Sequence, residues 1–362
     1  MKLYLISITS LAFLFVCDSL AAQSAQLPWH QYMIKQQERM EPIHSITAKA
    51  SVTVDDGSSY NTTAFYQDPQ RVIFQLTYPD RQNTVGIEGK YYWQHNGERE
   101  EEGSPFIQEF ALGHQFFAQL LYFDQIHPDV SSASRDTLGD VICQSVTGSG
   151  RVSPWKIYIN NVGKPLAAEL LLEGASNIMM ILEDWKEQSE ILLPHKITID
   201  DGQRVFTYLF TDIDFNYGAI SDFYLPMDKM TDEQQLLRLH RIGMDDHFFE
   251  RIEGLQSVRD TSFLLANRGE VSEISQEEFD FAMGSIMNSR DHDKYDDMIR
   301  PIVKVSDDGS LGWVIVQVEV HGVMTEVPGE NDPSFNFQSA WIELYEKKDG
   351  VWKMTGNVSN FK

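Results

Sequence analysis

The sequence predicts an α+β fold in two domains, and three observations lead to that prediction. The chain has 362 residues, which is enough for two domains of ordinary size. Short segments that alternate apolar and polar residues, typical of strands with one wet face, recur between residues 46 and 210. Near the C-terminus, long alternating segments are joined by the Asp-Gly pairs at 308–309 and 349–350, as expected for antiparallel hairpins.

Residues 1–21 predict an export signal. An apolar run over residues 3–16 follows a basic residue, and the small residues Ser19 and Ala21 place the cleavage site after Ala21. No apolar run is long enough to span a bilayer, so we expect a periplasmic or secreted protein that does not cross the membrane. A lipid anchor on Cys17 is the alternative, although such a site prefers a residue smaller than Val16 before the cysteine.

Charge and composition exclude several functional classes. The net charge of -25 at pH 7 argues against binding to nucleic acid or to an anionic membrane, because both attract basic surfaces. Removal of the signal leaves Cys143 as the single cysteine, and its apolar neighbours predict a small buried side chain. The sequence has no hydrolase elbow, zinc-peptidase motif, glycine-rich phosphate loop or Cys-x-x-Cys, so we expect neither a cofactor nor a metal site.

The first domain, predicted over residues 22–228, reads as a short helix followed by a β-meander. A second helix begins at Ser104, with the serine as cap and a proline at the first helical position. It is apolar nearly all round, which exceeds what a one-faced surface helix needs. The candidate ligand contacts of this domain are aromatic residues of that helix and one adaptable methionine: Phe106, Phe110, Phe117 and Met179. Ordinary core packing is the alternative interpretation.

Three phrases in this region resemble the LolA/LolB group of periplasmic lipoprotein carriers. They are DPQRVIFQL, KIYINNVGKPLAAELLLEG and LLPHKITIDDGQRVFTYLFTDIDFN, and the resemblance covers about Leu27 to Phe215. It implies an antiparallel half-barrel whose inner side holds acyl chains, with helices as a lid. Asp68 stands where carriers of that group place a basic residue, which counts against carriage of lipoproteins themselves.

The second domain, predicted over residues 229–362, begins with two helices marked by capping boxes. Thr231 with Gln234 opens the first helix, and Ser275 with Glu278 opens the second. Strands follow, and the alternation places Val314, Val316, Val318 and Val320 on one face. Trp313 and its alternating neighbours share the other face, which turns from apolar to polar along the strand.

This second region resembles the SnoaL-like, or nuclear-transport-factor-two-like, family. The phrases are RGEVSEISQEEF, DDMIRPIVKVSDDGSLGWVIV and AWIELYEKKDGVWK, which occur in order from His240 onward. The resemblance implies an α+β cone with a curved antiparallel sheet and a pocket. Both enzymes and binding proteins use that cone, and it often pairs through its sheet, so a homodimer through this domain is expected.

Candidate site residues of the second domain fall into two groups. His240 and Asp246 are the catalytic candidates if the protein is an enzyme, because family enzymes use a histidine or carboxylate as base. Trp313, Trp341 and Asn357 are candidate ligand contacts. The acidic run over residues 291–297 is expected to be a solvated loop between helix and strand, since the central glycine of a calcium loop is missing.

These patterns leave three functional hypotheses. The leading one is non-enzymatic binding of a hydrophobic small molecule, lipid or acyl chain in the first domain. The second is a cofactor-free isomerase or hydrolase centred on His240 and Asp246. The third is an interaction module of an envelope complex.

Overall fold

The computed structural model describes residues 43, 45–68, 71–89, 91–103, 133–148, 154–174, 176–217, 220–325 and 333–359. Two open sheets, in which antiparallel pairing dominates, and a few helices make up these residues. The predicted export signal and both predicted helices of the first domain, including Phe106, Phe110 and Phe117, lie outside them. No helix in the described ranges is long and apolar enough to cross a membrane.

The larger sheet has thirteen strands among the described residues. Their bounds are β1 (Ile46–Val54), β2 (Ser59–Asp68), β3 (Arg71–Thr77), β4 (Gln82–Glu88), β5 (Tyr91–His95), β6 (Glu100–Glu102), β7 (Ser134–Leu138), β8 (Val141–Gly148), β9 (Trp155–Ile159), β10 (Pro165–Leu170), β11 (Ile178–Gln188), β12 (Ile191–Asp200) and β13 (Val205–Phe215). Their order is β6-β5-β4-β3-β2-β1-β13-β12-β11-β10-β9-β8-β7, so the pairing of β1 with β13 joins two meanders into one open sheet whose edge strands are β6 and β7.

The smaller sheet has seven strands among the described residues. They are β14 (Arg259–Asn267), β15 (Glu270–Ser275), β16 (Arg290–Asp297), β17 (Ile302–Val305), β18 (Leu311–Met324), β19 (Ser334–Lys348) and β20 (Val351–Ser359). The order is β15-β14-β20-β19-β18-β16, with β17 paired to β18, and β14 runs parallel to β20. The helices are α1 (Asp232–Phe248), α2 (Ile252–Val258) and α3 (Gln276–Asn288), and short 3-10 turns occupy Ile220–Phe223 and Met227–Lys229.

Local signals in the sequence predicted several of these boundaries. The capping boxes at Thr231 and Ser275 are both present, with each side chain accepting from the backbone three residues ahead. The turn at Asp349-Gly350 joins β19 to β20, and both residues have positive φ, 50° and 82°. Two positive φ values in succession define a tight hairpin turn, which explains the glycine.

The described chain clusters into two compact units. The first contains residues up to Gly86 and from Pro105 to Phe223, and the second contains Ile87–Ser104 and Tyr224–Lys362. The hairpin formed by β5 and β6 is therefore grouped with helix α1 and the smaller sheet. The domain limits predicted from the sequence, 22–228 and 229–362, stay predictions.

One face of the larger sheet is apolar across its strands. The register aligns Tyr60, Val52, Tyr208, Ile197 and Leu182 on five neighbouring strands, and each is at most 6% exposed. A second aligned row is equally buried and consists of Val54, Phe206, Ile199, Met180, Ala168, Ile157 and Val146. This continuous face follows from strict alternation along each strand.

The core of the smaller sheet forms where helix α1 packs on it. Leu236 of α1 contacts a buried cluster that contains Val314, Val316, Tyr345 and Trp352. Met244, two turns further along α1, packs with Val318 and Val320. The predicted valine face of β18 is thus the face that meets the helix.

Two sequence expectations for the second domain were wrong. The acidic run over residues 291–297 is not a solvated loop, because it forms most of strand β16, in which Asp296 and Asp297 are buried. Strands β14 and β15 lie between helices α2 and α3, whereas strands were expected only after the two helices. Asp297 faces cations on α1, and these cations compensate the cost of burying its carboxylate.

Candidate functional site: a buried charge network on helix α1

Helix α1 buries an unusual number of ionisable side chains. Arg238, His240, Arg241, Asp245 and Asp246 are each at most 4% exposed. Burying a charge is costly unless oppositely charged or hydrogen-bonding groups surround it. The partners of these side chains therefore define the site.

Arg238 joins helix α1 to two carboxylates, one at the end of β4 and one on β6. Its Nη1 donates to Glu88 Oε1 at 2.9 Å and its Nη2 donates to Glu100 Oε2 at 3.1 Å. All three side chains are at most 3% exposed. One guanidinium thus neutralises a carboxylate near each end of the segment Ile87–Ser104. These two ion pairs link β4 and β6 to α1.

Aromatic side chains complete the shell around this arginine. Trp93 Nε1 donates to Glu88 Oε1 at 2.5 Å, and the Tyr224 hydroxyl donates to Glu88 Oε2 at 2.8 Å. The guanidinium carbon of Arg238 lies 3.3 Å from the centre of the Tyr224 ring, in the range of a cation–π contact. Burial tends to raise the pKa of Glu88, but the nearby arginines and these donors lower it below the ordinary value. Glu88 is therefore a charged, fully satisfied carboxylate.

His240 lies between two further carboxylates, one from each side of its ring. Nδ1 is 2.9 Å from Glu343 Oε1, and Nε2 is 3.2 Å from Asp297 Oδ1. Burial alone would lower the pKa of His240, but the charges of Glu343 and Asp297 outweigh it and raise the pKa to about 10. His240 is therefore an imidazolium at neutral pH, and both of its N–H groups donate.

Glu343 is itself held by neighbours on strand β19. It accepts from Trp341 Nε1 at 2.9 Å and from the Tyr345 hydroxyl at 2.8 Å. His240 consequently connects α1 to β16 and β19 through hydrogen bonds that leave neither ring nitrogen for a substrate. In this arrangement both ring nitrogens donate to carboxylates, so the network cross-links helix α1 to strands β16 and β19.

The two catalytic candidates have separate partners. Asp246 pairs with Arg251, whose Nε lies 2.9 Å from Oδ1. Burial raises the pKa of Asp246, and Gly254 packs so closely against its carboxylate that a side chain there would collide with it. Joint catalysis by His240 and Asp246 stays a prediction, and the geometry gives them no shared hydrogen bond in the described residues.

The predicted ligand contacts of the second domain lie on different faces. Trp341 is half-buried on the helix side and is committed to Glu343, and Asn357 aligns with Glu343 in the register of β19 and β20. Trp313 aligns with Leu344 on the opposite face, away from helix α1. The strand register therefore does not place all three side chains on one surface of the sheet.

Met179 also lies on a different face from the apolar rows of the larger sheet. It packs beside Cys143, Tyr158 and Ala167, while its neighbour Met180 lies on the apolar face. Cys143 is a free, buried thiol, as its apolar surroundings predicted. A ligand contact by Met179 stays a prediction, and Met180 is the methionine on the continuous face.

The carboxylate partners of α1 were missed at the level of sequence. One signal was present, because Glu343 lies between the aromatic residues Trp341 and Tyr345 in the alternation of its strand. A single glutamate at such a position indicates a buried partner. No comparable signal connects Arg238 to Glu88 and Glu100, which lie 150 and 138 residues away in the chain.

An open cavity of about 370 Å³ lies between the hairpin of β5 and β6 and the start of α1. It is lined by Tyr91, Glu102, Glu233, Gln234, Leu237, Arg300, Pro301 and Val303. Arg300 forms an ion pair with Glu102 at its rim. No group of histidine, cysteine and carboxylate side chains in the described ranges is arranged to hold a metal ion.

Replacing Arg238 by methionine tests the network. Arg238→Met leaves Glu88 and Glu100 buried without their cation, so we expect the free energy of unfolding to fall by roughly 3–5 kcal/mol. The matched control is Arg99→Met, since Arg99 lies on the same hairpin in an exposed ion pair with Glu101. The control should change stability by less than about 1 kcal/mol. Urea unfolding measures both, and equal losses would refute the network.

The pH dependence of stability tests the charge states of two histidines on α1. His240, with a folded pKa of about 10, contributes stability that is complete below pH 6.5 and is lost as the pH rises toward 10. His247 behaves oppositely, because burial and the nearby His292 lower its pKa to about 4. Its contribution is lost as the pH falls from 6.5 toward 4.

The two contributions together place a maximum of stability near pH 6.5. Each should change the free energy of unfolding by up to about 1.4 kcal/mol per pH unit within its window. His240→Gln should flatten the alkaline side, and His247→Phe, which retains the ring beside Tyr295, should flatten the acid side. Urea unfolding between pH 4 and pH 10 measures this. Unchanged slopes in both variants would contradict the assigned charge states.

Comparison with known proteins confirms both resemblances as likenesses of structure. A LolA superfamily protein from Nitrosomonas europaea is 13% identical, with a TM-score of 0.41, and the match covers 55% of this chain and 98% of that one. A DUF1329 family protein from Desulfovibrio piger is 7% identical, with a TM-score of 0.42, and the match covers 57% and 100%. An NTF2-like protein from Cytophaga hutchinsonii is 16% identical, with a TM-score of 0.30, and the match covers 37% and 100%.

The chain matches no protein-family model and no curated protein. At these identities and TM-scores, the likenesses carry no argument about what the chain binds. Each likeness covers only a part of this chain.

Proposed function

We propose that this chain is an exported protein that binds a hydrophobic small molecule or acyl chain and does not transform it. The observation that supports the proposal is the continuous apolar face of the larger sheet. Its longer row of buried side chains runs from Val54 on β1 to Val146 on β8. Seven strands at ordinary spacing span roughly 29 Å, which is a length suited to an extended hydrocarbon chain.

A small polar spot on that face suits the head group of such a ligand. The hydroxyls of Tyr60 and Tyr208 meet at 3.3 Å above Val52, and Thr62 follows on the same face of β2. Burial raises the pKa of Tyr60 to about 12, so its phenol stays neutral at physiological pH. Neutral hydroxyls within an apolar surface can hydrogen-bond a carboxyl or ester group without placing a charge beside the hydrocarbon.

The closed hydrogen bonding of His240 favours binding over the isomerase or hydrolase alternative. A general base needs a free lone pair within reach of the proton that it abstracts. The imidazolium of His240 has none while Glu343 and Asp297 hold it. The acidic chain and its predicted export signal fit a soluble carrier in an envelope compartment.

A pair of neighbouring substitutions tests ligand binding to the apolar face. Ala50 is buried on that face, and Ser51, the next residue of β1, is exposed on the other. We expect delipidated wild-type protein to be stabilised by long-chain fatty acids or lysolipids in thermal unfolding. Ala50→Phe should fill part of the surface and weaken binding at least tenfold, whereas Ser51→Phe should leave it unchanged.

Both variants are compared at equal folded fraction, verified by circular dichroism. Absence of stabilisation by any fatty acid or lysolipid would count decisively against the proposal. Equal affinities of the two variants would move the ligand away from this face.

We further propose that a second copy of the chain covers the outward face of the smaller sheet. Trp313, Leu344, Ile315 and Ile342 lie side by side on that face in the strand register, and Val358 follows on β20. Leu344 and Val358 are 37% and 42% exposed, so a contiguous apolar surface faces outward. Such surfaces on soluble proteins mark interaction sites, and a two-fold pairing of identical sheets buries both at once.

The mass in solution tests this pairing. The wild-type chain should sediment as a dimer, and Leu344→Lys should sediment as a monomer because a buried lysine without a partner opposes association. Val162→Lys is the matched control, since Val162 is 66% exposed in a turn of the first unit. Sedimentation equilibrium measures all three. A monomeric wild type would refute the proposal.

A further inference from the structure

Arg259, the first residue of strand β14, is a buried cation whose donors are unused. Only 6% of the residue's surface is exposed. Nε, Nη1 and Nη2 are each buried and have no hydrogen-bond partner among the described residues. Arg238 in the same unit shows the contrasting case, in which two carboxylates take up the guanidinium.

Two phenyl rings hold this guanidinium in place. Its central carbon lies 3.3 Å from the centre of the Phe279 ring and 3.8 Å from the centre of the Phe263 ring. Rings this close to the central carbon flank the guanidinium and cover part of its surface. The N–H groups point out of the edge of the guanidinium, in the plane where a carboxylate accepts two parallel hydrogen bonds.

The carboxylate that acts electrostatically on Arg259, that of Asp280, does not hydrogen-bond it. Asp280 influences Arg259 electrostatically, but its Oδ1 accepts from Gln276 Nε2 at 2.7 Å. Burial lowers the pKa of Arg259 to about 10, so the side chain is still a cation at neutral pH. A buried cation with unused donors is strongly stabilised by an anion that reaches it.

We propose that Arg259 anchors a second ligand site, which takes an apolar monocarboxylate. The planar fork of the guanidinium matches a carboxylate in bidentate geometry. The flanking rings favour an organic acid with an aliphatic or aromatic body over a strongly hydrated phosphate dianion. This site is independent of the apolar face of the larger sheet and does not rest on the function proposed for that face.

Phe279 controls access to the site. It lies on helix α3, whose residues are largely exposed, with Met287 as its buried residue. The Phe279 ring is half-buried, so its rotation uncovers one face and the edge of the guanidinium without unfolding the sheet. The acid enters from that side, and its body takes the place that the ring vacates.

Thermal unfolding of the full chain with small acids tests the site. The probes are sodium benzoate and sodium hexanoate, and the neutral controls are benzamide and hexanamide. We expect both acids to raise the Tm of the wild type in a concentration-dependent way, and the amides to leave it unchanged. Arg259→Met should abolish the shift, and Arg259→Lys, which keeps the charge but loses the fork, should weaken the apparent affinity at least tenfold.

A matched control separates a specific site from general effects of the acids. Arg251 also lies near a phenyl ring, that of Phe249, but it has a carboxylate partner in Asp246. Arg251→Met should retain the full response to both acids. Ala50→Phe, placed in the first unit, should retain the response to benzoate, which has no acyl chain, and this distinguishes the Arg259 site from the proposed acyl-chain site.

A second measurement guards against variants that fail to fold. Nitrogen-15 NMR of the wild type observes the Arg259 Nε–H signal directly, and benzoate should shift it, whereas inorganic phosphate at equal concentration should not. Absence of any acid effect on Tm and on this signal overturns the proposal. So does an unchanged response of folded Arg259→Met, or an equal response to phosphate. If Asp280→Asn and Arg259→Met destabilise the chain equally and non-additively, Asp280 is the partner and no ligand site exists.

Discussion

The second unit depends on the neutralisation of cations that helix α1 carries into the interior. Arg238 and His240 are two residues apart, so they project from the helix in different directions. Each is met by two carboxylates, from β4 and β6 in one case and from β16 and β19 in the other. Removing one partner of such a set leaves an uncompensated buried charge, which is far more costly than losing a surface ion pair. The arrangement therefore fixes the position of the helix, the hairpin and the sheet together.

Short-range signals account for the parts of this fold that the sequence predicts. The capping boxes at Thr231 and Ser275 and the turn at Asp349-Gly350 each need only a few adjacent residues, and all are present. The partners of Arg238 lie in a segment more than a hundred residues away, so no local pattern could reveal them. The acidic run over residues 291–297 was wrongly predicted to be a solvated loop for the same reason, because the cationic partners of Asp297 lie on α1.

A shift of one residue decides whether a side chain is assigned to the correct face of a β-sheet. In a strand, successive side chains point to opposite sides, so an interpretation displaced by one residue exchanges the two faces completely. Met179 and Met180 illustrate this, since the second lies on the continuous apolar surface and the first in a separate cluster. Alternation identified the segment as a strand, but its apolar residues on both sides gave no basis for choosing the face. The paired register of neighbouring strands supplies that choice.

Two buried arginines differ in whether carboxylates of the protein bind their guanidinium groups, and this difference indicates which of them has a structural role and which could bind a ligand. Arg238 has its cationic ends fully engaged by Glu88 and Glu100, and aromatic rings close around it. Arg259 is held equally firmly between rings, yet no acceptor in the described residues reaches its edge. An unsatisfied charge in an interior is unfavourable for the isolated chain and becomes favourable when an anion binds. The same reasoning that assigns the His240 network to structure therefore assigns Arg259 to recognition, because both ring nitrogens of His240 are engaged by carboxylates, whereas none of the three nitrogens of Arg259 has an acceptor in the described residues.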